Sequence, residues 1–214
     1  MNKSFICISI LLISSINSDY IKGINVFKDN IDWNTVKNEI GFALIMMGIG
    51  QSTGEFFETN YKNAKAAGVQ IGSYLISHTT DSAGAEAEAK NALNLLQGKQ
   101  FEWPIYYEIG GDALNGDVNG MANTFCQILQ KNNYFCGIYS SASSLSTKFD
   151  ESVLSQYAIW VADYEVHYPS FSGDWGIWEY FSEGSVSGVF GKVSMNYAQI
   201  DYSEIIMSKG FNGY

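Results

Sequence analysis

The run Pro104–Asp112, P-I-Y-Y-E-I-G-G-D, is where this chain could carry chemistry. It reads as a buried strand ending at a glycine pair, and it holds two carboxyls, Glu108 and Asp112. Carboxyls about 5 to 9.5 Å apart hydrolyse glycosidic bonds: one protonates the leaving oxygen, the other stabilises or traps the cationic sugar or activates water. Residues two apart on a strand share a face, roughly 6.6 Å apart along it. Glu108 therefore lacks a partner at that spacing, because position 110 is glycine. Asp112 has the same parity but lies roughly 13 Å away in an extended chain, unless the flexible Gly110–Gly111 pair folds it back. His78 and His167, with Cys126 and Cys136, show no metal-ligand spacing, so no metal is expected.

Strands and helices alternate around this segment. Ile21–Val26, Phe42–Met47, Val69–Ile76, Pro104–Ile109, Phe135–Tyr139 and Tyr157–Val161 read as strands. Asp32 is placed to cap a helix over Trp33–Glu39, its carboxylate accepting from free N–H groups of the first turn. Helical stripes run through Phe57, Tyr61 and Ala64 to a stop at Gly68, through Ala85, Ala89, Ala92, Leu93 and Leu96 to Gly98, and through Met121, Phe125, Ile128 and Leu129. A short helical stretch separates the strands at 135–139 and 157–161. After Trp175 the pattern becomes short turn-separated runs, Gly176–Phe181, Ser185–Gly188 and Val193–Tyr197, as in an antiparallel patch, before a closing helix near Tyr202–Met207. Trp33 and Trp103 read as core or element ends.

Alternating strands and helices imply an α/β fold with parallel strands covered by helices. A full eight-fold barrel takes about 250 residues. The expectation is therefore an abbreviated, irregular TIM-like (β/α) barrel with a short antiparallel patch near its C-terminus and its site at the C-terminal strand ends. Residues 1–18, with Lys3 before the apolar run Phe5–Ile16, read as a secretory signal peptide, leaving 19–214 as one domain. No later segment reads as transmembrane. The net charge of -10 argues against electrostatic nucleic-acid binding. Export permits a disulfide between Cys126, on a helix, and Cys136, opening the next strand, if the two approach closely; joined and free states both stay open.

Eight segments in order resemble glycoside hydrolase family 25, the Chalaropsis-type lysozymes or muramidases. They are G-I-N-V with I-D-W (Gly23 to Trp33), F-A-L-I-M-M-G-I-G (Phe42 to Gly50), N-Y-K-N-A-K-A-A-G (Asn60 to Gly68), P-I-Y-Y-E-I (Pro104 to Ile109), G-I-Y-S (Gly137 to Ser140), W-V-A-D-Y (Trp160 to Tyr164), G-I-W-E-Y (Gly176 to Tyr180) and G-K-V-S-M-N-Y (Gly191 to Tyr197). The resemblance implies cleavage after N-acetylmuramic acid in peptidoglycan, with no cofactor, by acids at strand ends. The family's G-x-D, D-x-E and V-D-x-N here read Gly23-Ile24-Asn25, Glu108-Ile109-Gly110 and Val193-Ser194-Met195-Asn196. Asn25, Gly110 and Ser194 have lost the carboxyl, and Glu108 keeps one on a longer stem. Glu179 stands where the family often has Gln, and it and Asp112 are the candidate substitutes for the missing acids. The resemblance also places Tyr74, Tyr107, Trp160, Tyr164, Trp178 and Tyr180 in a glycan cleft, where rings stack on sugars and polar tips bond hydroxyls.

The resemblance thus implies a secreted lysozyme-like protein, catalytically impaired or inactive, that retains binding of peptidoglycan or a related amino-sugar glycan. One alternative is an active muramidase with an acid pair rebuilt around Glu108. The other is a protein-binding scaffold presenting the apolar replacements Met46, Ile49, Leu75 and Ile76.

Overall fold

A computed structural model describes residues 20–214; the expected signal peptide, residues 1–18, lies outside them. In chain order the elements are β1 (Ile21–Val26), α1 (Trp33–Val36), β2 (Phe42–Ile49), β3 (Ser52–Thr53), α2 (Phe57–Ala67), β4 (Gln70–Ile76) and α3 (Ser82–Leu96). Then come β5 (Ile105–Glu108), a 3-10 turn (Gly111–Asn115), α4 (Val118–Lys131), β6 (Cys136–Ser141), α5 (Ala142–Lys148), α6 (Glu151–Leu154) and β7 (Ala158–Ala162). The chain closes with β8 (Ile177–Gly184), β9 (Val193–Ala198) and α7 (Tyr202–Lys209).

Eight strands close a ring in the order β1-β2-β4-β5-β6-β7-β8-β9 and back to β1, with β3 hung on β2 as a hairpin. Neighbours from β1 through β8 run parallel, and β9 is antiparallel to both β8 and β1. This is the TIM-like barrel expected from the alternation. The antiparallel patch is not a separate sheet. Ser185–Gly188 forms no strand; β8 runs on to Gly184, and β9 is itself a barrel stave. The first helix is also shorter than expected, ending at Val36.

Local sequence explains most elements. The Asp32 carboxylate caps α1 by accepting the Asn34 N–H at 3.1 Å. Gly68 ends α2 in the left-handed region, φ 81°, where a side chain would be strained. β2 is a continuous apolar run because both its faces are buried: Phe42 and Leu44 point into the barrel, Ala43, Ile45 and Met47 outward under the helices.

Two apolar layers follow from that alternation. The outer layer lies between barrel wall and helices; Ala85, Ala89, Ala92 and Leu96 of α3 and Met121, Phe125 and Leu129 of α4 belong to it. The inner layer fills the barrel with Phe42, Leu44, Tyr74, Trp103, Tyr106, Trp160 and Ile177, and Tyr202 and Ile206 of α7 join it. Phe42 stacks on Trp103 at 4.0 Å. The buried Asn212 holds the tail on this end: its amide donates to the Trp103 carbonyl at 2.9 Å and its carbonyl accepts the Phe135 N–H at 2.7 Å.

Cys126 of α4 and Cys136 of β6 form a disulfide with Cα atoms 5.3 Å apart, so the close helix–strand approach is met. Replacing both by serine is expected to lower the unfolding free energy by about 2–3 kcal/mol, for the short loop the cross-link closes. Urea melts of native and variant protein check this; coincident midpoints would show that the cross-link contributes nothing.

Candidate functional site

Strand alternation decides which side chains meet at the open end of the barrel. On β5, Ile105 and Tyr107 face the outer layer, so Tyr106 and Glu108 face inward. Glu108 is the last residue of β5, level with Ile76 of β4 and Tyr139 of β6. Asn25 on β1 is paired in register with Ser194 on β9, and Glu179 on β8 with Asn196 on β9. Tyr74 and Trp160 close the floor, their rings edge to face at 5.5 Å.

Hydrogen bonds tie these groups into two systems. In the first, Trp160 Nε1 donates to Asn196 Oδ1 at 2.8 Å, and Asn196 Nδ2 donates to Asn25 Oδ1 at 2.9 Å. The Tyr74 hydroxyl also bonds Asn25. Asn25 is thus a neutral link in a buried polar chain. In the second, the half-exposed Tyr164 donates its hydroxyl to Glu179 Oε1 at 3.0 Å. The hydroxyls of Tyr139 and Ser194 lie beside the same carboxyl and pull its pKa down, yet Glu179 Oε2 is buried without completing a hydrogen bond.

The electrostatics are those of two acids held out of water without a cation. Burial, and then the charge of Glu179, push Glu108 up to about 7 from its ordinary 4.5. Burial raises Glu179 as well, against the three hydroxyls. Burial and then Glu179 push Tyr164 up to about 12, while Tyr74 and Tyr139 are raised by burial and by both carboxylates. Glu108 can therefore hold or release a proton near neutrality. Two residues further on, a Cβ placed on Gly110 would meet nothing within 4 Å. Position 110, where the resemblance implies a carboxyl, is open space.

Several expected site residues fall elsewhere. Tyr107 cannot share the mouth with its neighbour Glu108, because adjacent strand residues face opposite sides. It is fully buried in the outer layer, its ring stacked on Phe125 at 4.0 Å and its hydroxyl bonded to Ser77 at 2.9 Å and to the Glu88 carboxylate. Trp178 and Tyr180 flank Glu179 and by the same rule turn to the outside of the barrel. Trp178 belongs to the outer layer, and Tyr180 stacks on Tyr197 at 4.2 Å. Asp112 lies exposed on the 3-10 turn, and it is not among the groups that shift Glu108. Of the apolar replacements, Met46 and Ile76 pack on the inner layer, Ile49 is exposed, and Leu75 is fully buried outside the barrel, so the four form no common patch.

Two mouth residues were missing from the sequence reading. Tyr139 shares its register with Glu108, and Asn196 has the parity of Ser194. Counting one alternate residue on from Ser194 finds Asn196, whereas Tyr139 is reached only through the β5–β6 register.

A cavity of about 170 Å³ beside the mouth is lined by Asn25, Ser194, Lys28, Lys192 and Glu183 among others. A larger one, about 250 Å³, lies between α1 and α2, away from the acids. Among the described residues no three His, Cys, Asp or Glu side chains gather to hold a metal ion, and no helix is long and apolar enough to cross a membrane.

Residues 24–189 match the family profile of Glycosyl hydrolases family 25. The autolytic lysozyme of Clostridium acetobutylicum is 22% identical over 198 residues, which are 89% of this chain and 58% of that protein. The chain thus spans less than two thirds of this curated relative. The bacterial lysozyme from Streptomyces coelicolor superposes with a TM-score of 0.76 at 24% identity, covering 92% of this chain and 100% of that one. The modular autolysin LytC from Streptococcus pneumoniae, solved with a synthetic peptidoglycan ligand, superposes at 0.72 and 21% identity over 83% of this chain and 46% of its own. At these identities the superpositions show a shared fold.

The raised Glu108 carboxyl has a consequence for stability. Its folded-state pKa lies above the unfolded value, so its contribution is fully present below about 4.5 and is lost as pH rises through about 7. Glu179 shifts in the same direction. The melting temperature of the native protein should fall across that window relative to Glu108→Gln, as thermal melts at stepped pH would record. Parallel profiles for the two proteins would contradict the assignment.

Proposed function

The chain belongs to glycosyl hydrolases family 25, and from that premise we propose that it is a secreted lysozyme-like protein that binds a peptidoglycan-type amino-sugar glycan and has lost most or all hydrolysis. The observation that carries this reading is the open space at Gly110, at a barrel end where Tyr164 still presents an exposed ring. Glycoside cleavage needs a proton donor at the leaving oxygen and a second group at the cationic centre. The strand end offers only Glu108, one step deeper in the barrel, and the other former acidic positions hold the uncharged Asn25 and Ser194. Binding needs less: ring faces for the sugar and polar tips for its hydroxyls. Tyr164, 41% exposed over the mouth, supplies such a face, with Tyr139 beneath it. That a pneumococcal autolysin of the same fold is solved with a peptidoglycan ligand supports the ligand class. The leader-like residues 1–18 support export.

A second reading is favoured by the near-neutral Glu108 beside Glu179. In it, Glu108 donates the proton, Glu179 stabilises the cationic sugar, and the protein is an active muramidase. The protein-binding reading loses its support, since Leu75 is fully covered and the apolar replacements are dispersed.

The expected outcome is that purified protein cosediments with peptidoglycan and releases no new reducing ends between acidic and neutral pH. Absence of cosedimentation would refute the binding reading. Release of reducing ends that vanishes in Glu108→Gln would establish the second reading in its place.

A further inference from the structure

We infer that the barrel mouth selects a glycan carrying a free, protonated amine, a de-N-acetylated sugar of the glucosamine type, whose ammonium takes up the unpartnered oxygen of Glu179 beside Glu108. This rests on the glycan-binding reading and narrows it to a ligand class.

Glu179 is 3% exposed; its Oε1 accepts the Tyr164 hydroxyl at 3.0 Å, and the hydroxyls of Tyr139 and Ser194 lie beside the carboxyl. Oε2 is buried with no hydrogen-bond partner. A buried carboxylate is costly unless a cation or a full set of donors completes it. The chain does not supply that cation. All 12 of its basic residues are lysine, and the ion pairs among the described residues engage Glu102, Glu86 and Glu58 instead. Lys28 and Lys192 line the neighbouring cavity, and neither acts on Glu108 or Glu179.

The surroundings suit an ammonium better than other cations. No three metal-ligating side chains converge among the described residues, which disfavours a divalent ion. The mouth is instead aromatic: Tyr139 lies 4.2 Å from Trp160, centroid to centroid, and Tyr164 stands over Glu179. Ring faces attract cations and also pack against sugar rings. An ammonium brings three donors, enough for Glu179 Oε2, for Glu108 and for one hydroxyl of the group Tyr139, Tyr164 and Ser194. An N-acetyl group in the same place brings one donor and a carbonyl oxygen that would face two carboxyls, so the acids also reject the acetylated sugar.

The test is calorimetric titration of the native protein with the glucosamine tetramer and with the N-acetylglucosamine tetramer at pH values stepped up to neutrality, so that the range includes conditions in which the acids carry charge. The amine form is expected to bind at least ~10-fold more tightly. Glu179→Gln is expected to bring the two affinities within ~2-fold, since it removes the charge and keeps the shape. Glu204→Gln, the same change at an exposed position on α7, controls for overall charge and should leave the preference intact. Equal affinities on the native protein, or a preference that survives Glu179→Gln, would overturn the amine inference alone. Failure of both oligomers to bind would overturn it together with the glycan-binding reading. The comparison on native protein stands even where a variant does not fold.

Discussion

Trp160 joins the packing of the barrel to its mouth. Its indole is fully buried, and the rings of Tyr74, Tyr106 and Tyr139 surround it at centroid distances of 5.5, 5.4 and 4.2 Å. Its one polar atom is satisfied by Asn196, which in turn holds Asn25. With α7 contributing to the inner layer from the other end, the barrel interior is solid, as barrels of this size are. A ligand can therefore be met only at the strand ends, and the side chains available are the last inward-facing ones of each stave.

At those ends two electrostatic regimes adjoin. The chain from Trp160 through Asn196 to Asn25 is neutral and satisfied, and such a network fixes the geometry of the floor. Glu179 is buried and Glu108 half-buried, and the groups that shift their pKa values include hydroxyls but no cation. Buried acids without a cation weaken a fold, which is why the ligand site is proposed beside them. Position 110 offers no carboxyl and position 179 offers one, and the barrel beneath is closed and packed either way.

Much of the fold was legible in the sequence. Continuous apolar runs such as Phe42–Met47 mark strands buried on both faces, and stripes such as Ala85–Leu96 mark the helices over them. The C-terminal region was less legible, because β8 and β9 alternate between an inner and a half-exposed outer face, and short alternating runs look alike whether they close a barrel or form a small sheet. The site was legible for Glu108, Glu179, Asn25, Ser194, Tyr74, Trp160 and Tyr164, which the structure gathers at one end. Tyr107, Trp178 and Tyr180 were misplaced for one reason: each sits next to an inward residue in sequence and so faces the other way. The void at Gly110 could be read as a missing carboxyl, but only coordinates show that nothing else fills it.

The most direct test of the account restores what the strand end lacks. Gly110 has an ordinary extended backbone, φ -147°, and a Cβ there meets nothing within 4 Å, so a side chain can start at this position without a clash. Glu108→Asp combined with Gly110→Glu rebuilds the family's acid pair in an otherwise native mouth. Reducing-end release from purified peptidoglycan should be absent for the native protein and present for this double variant. Release by the native protein at the variant's rate would contradict the claim that the missing carboxyl at 110 is what silences the site.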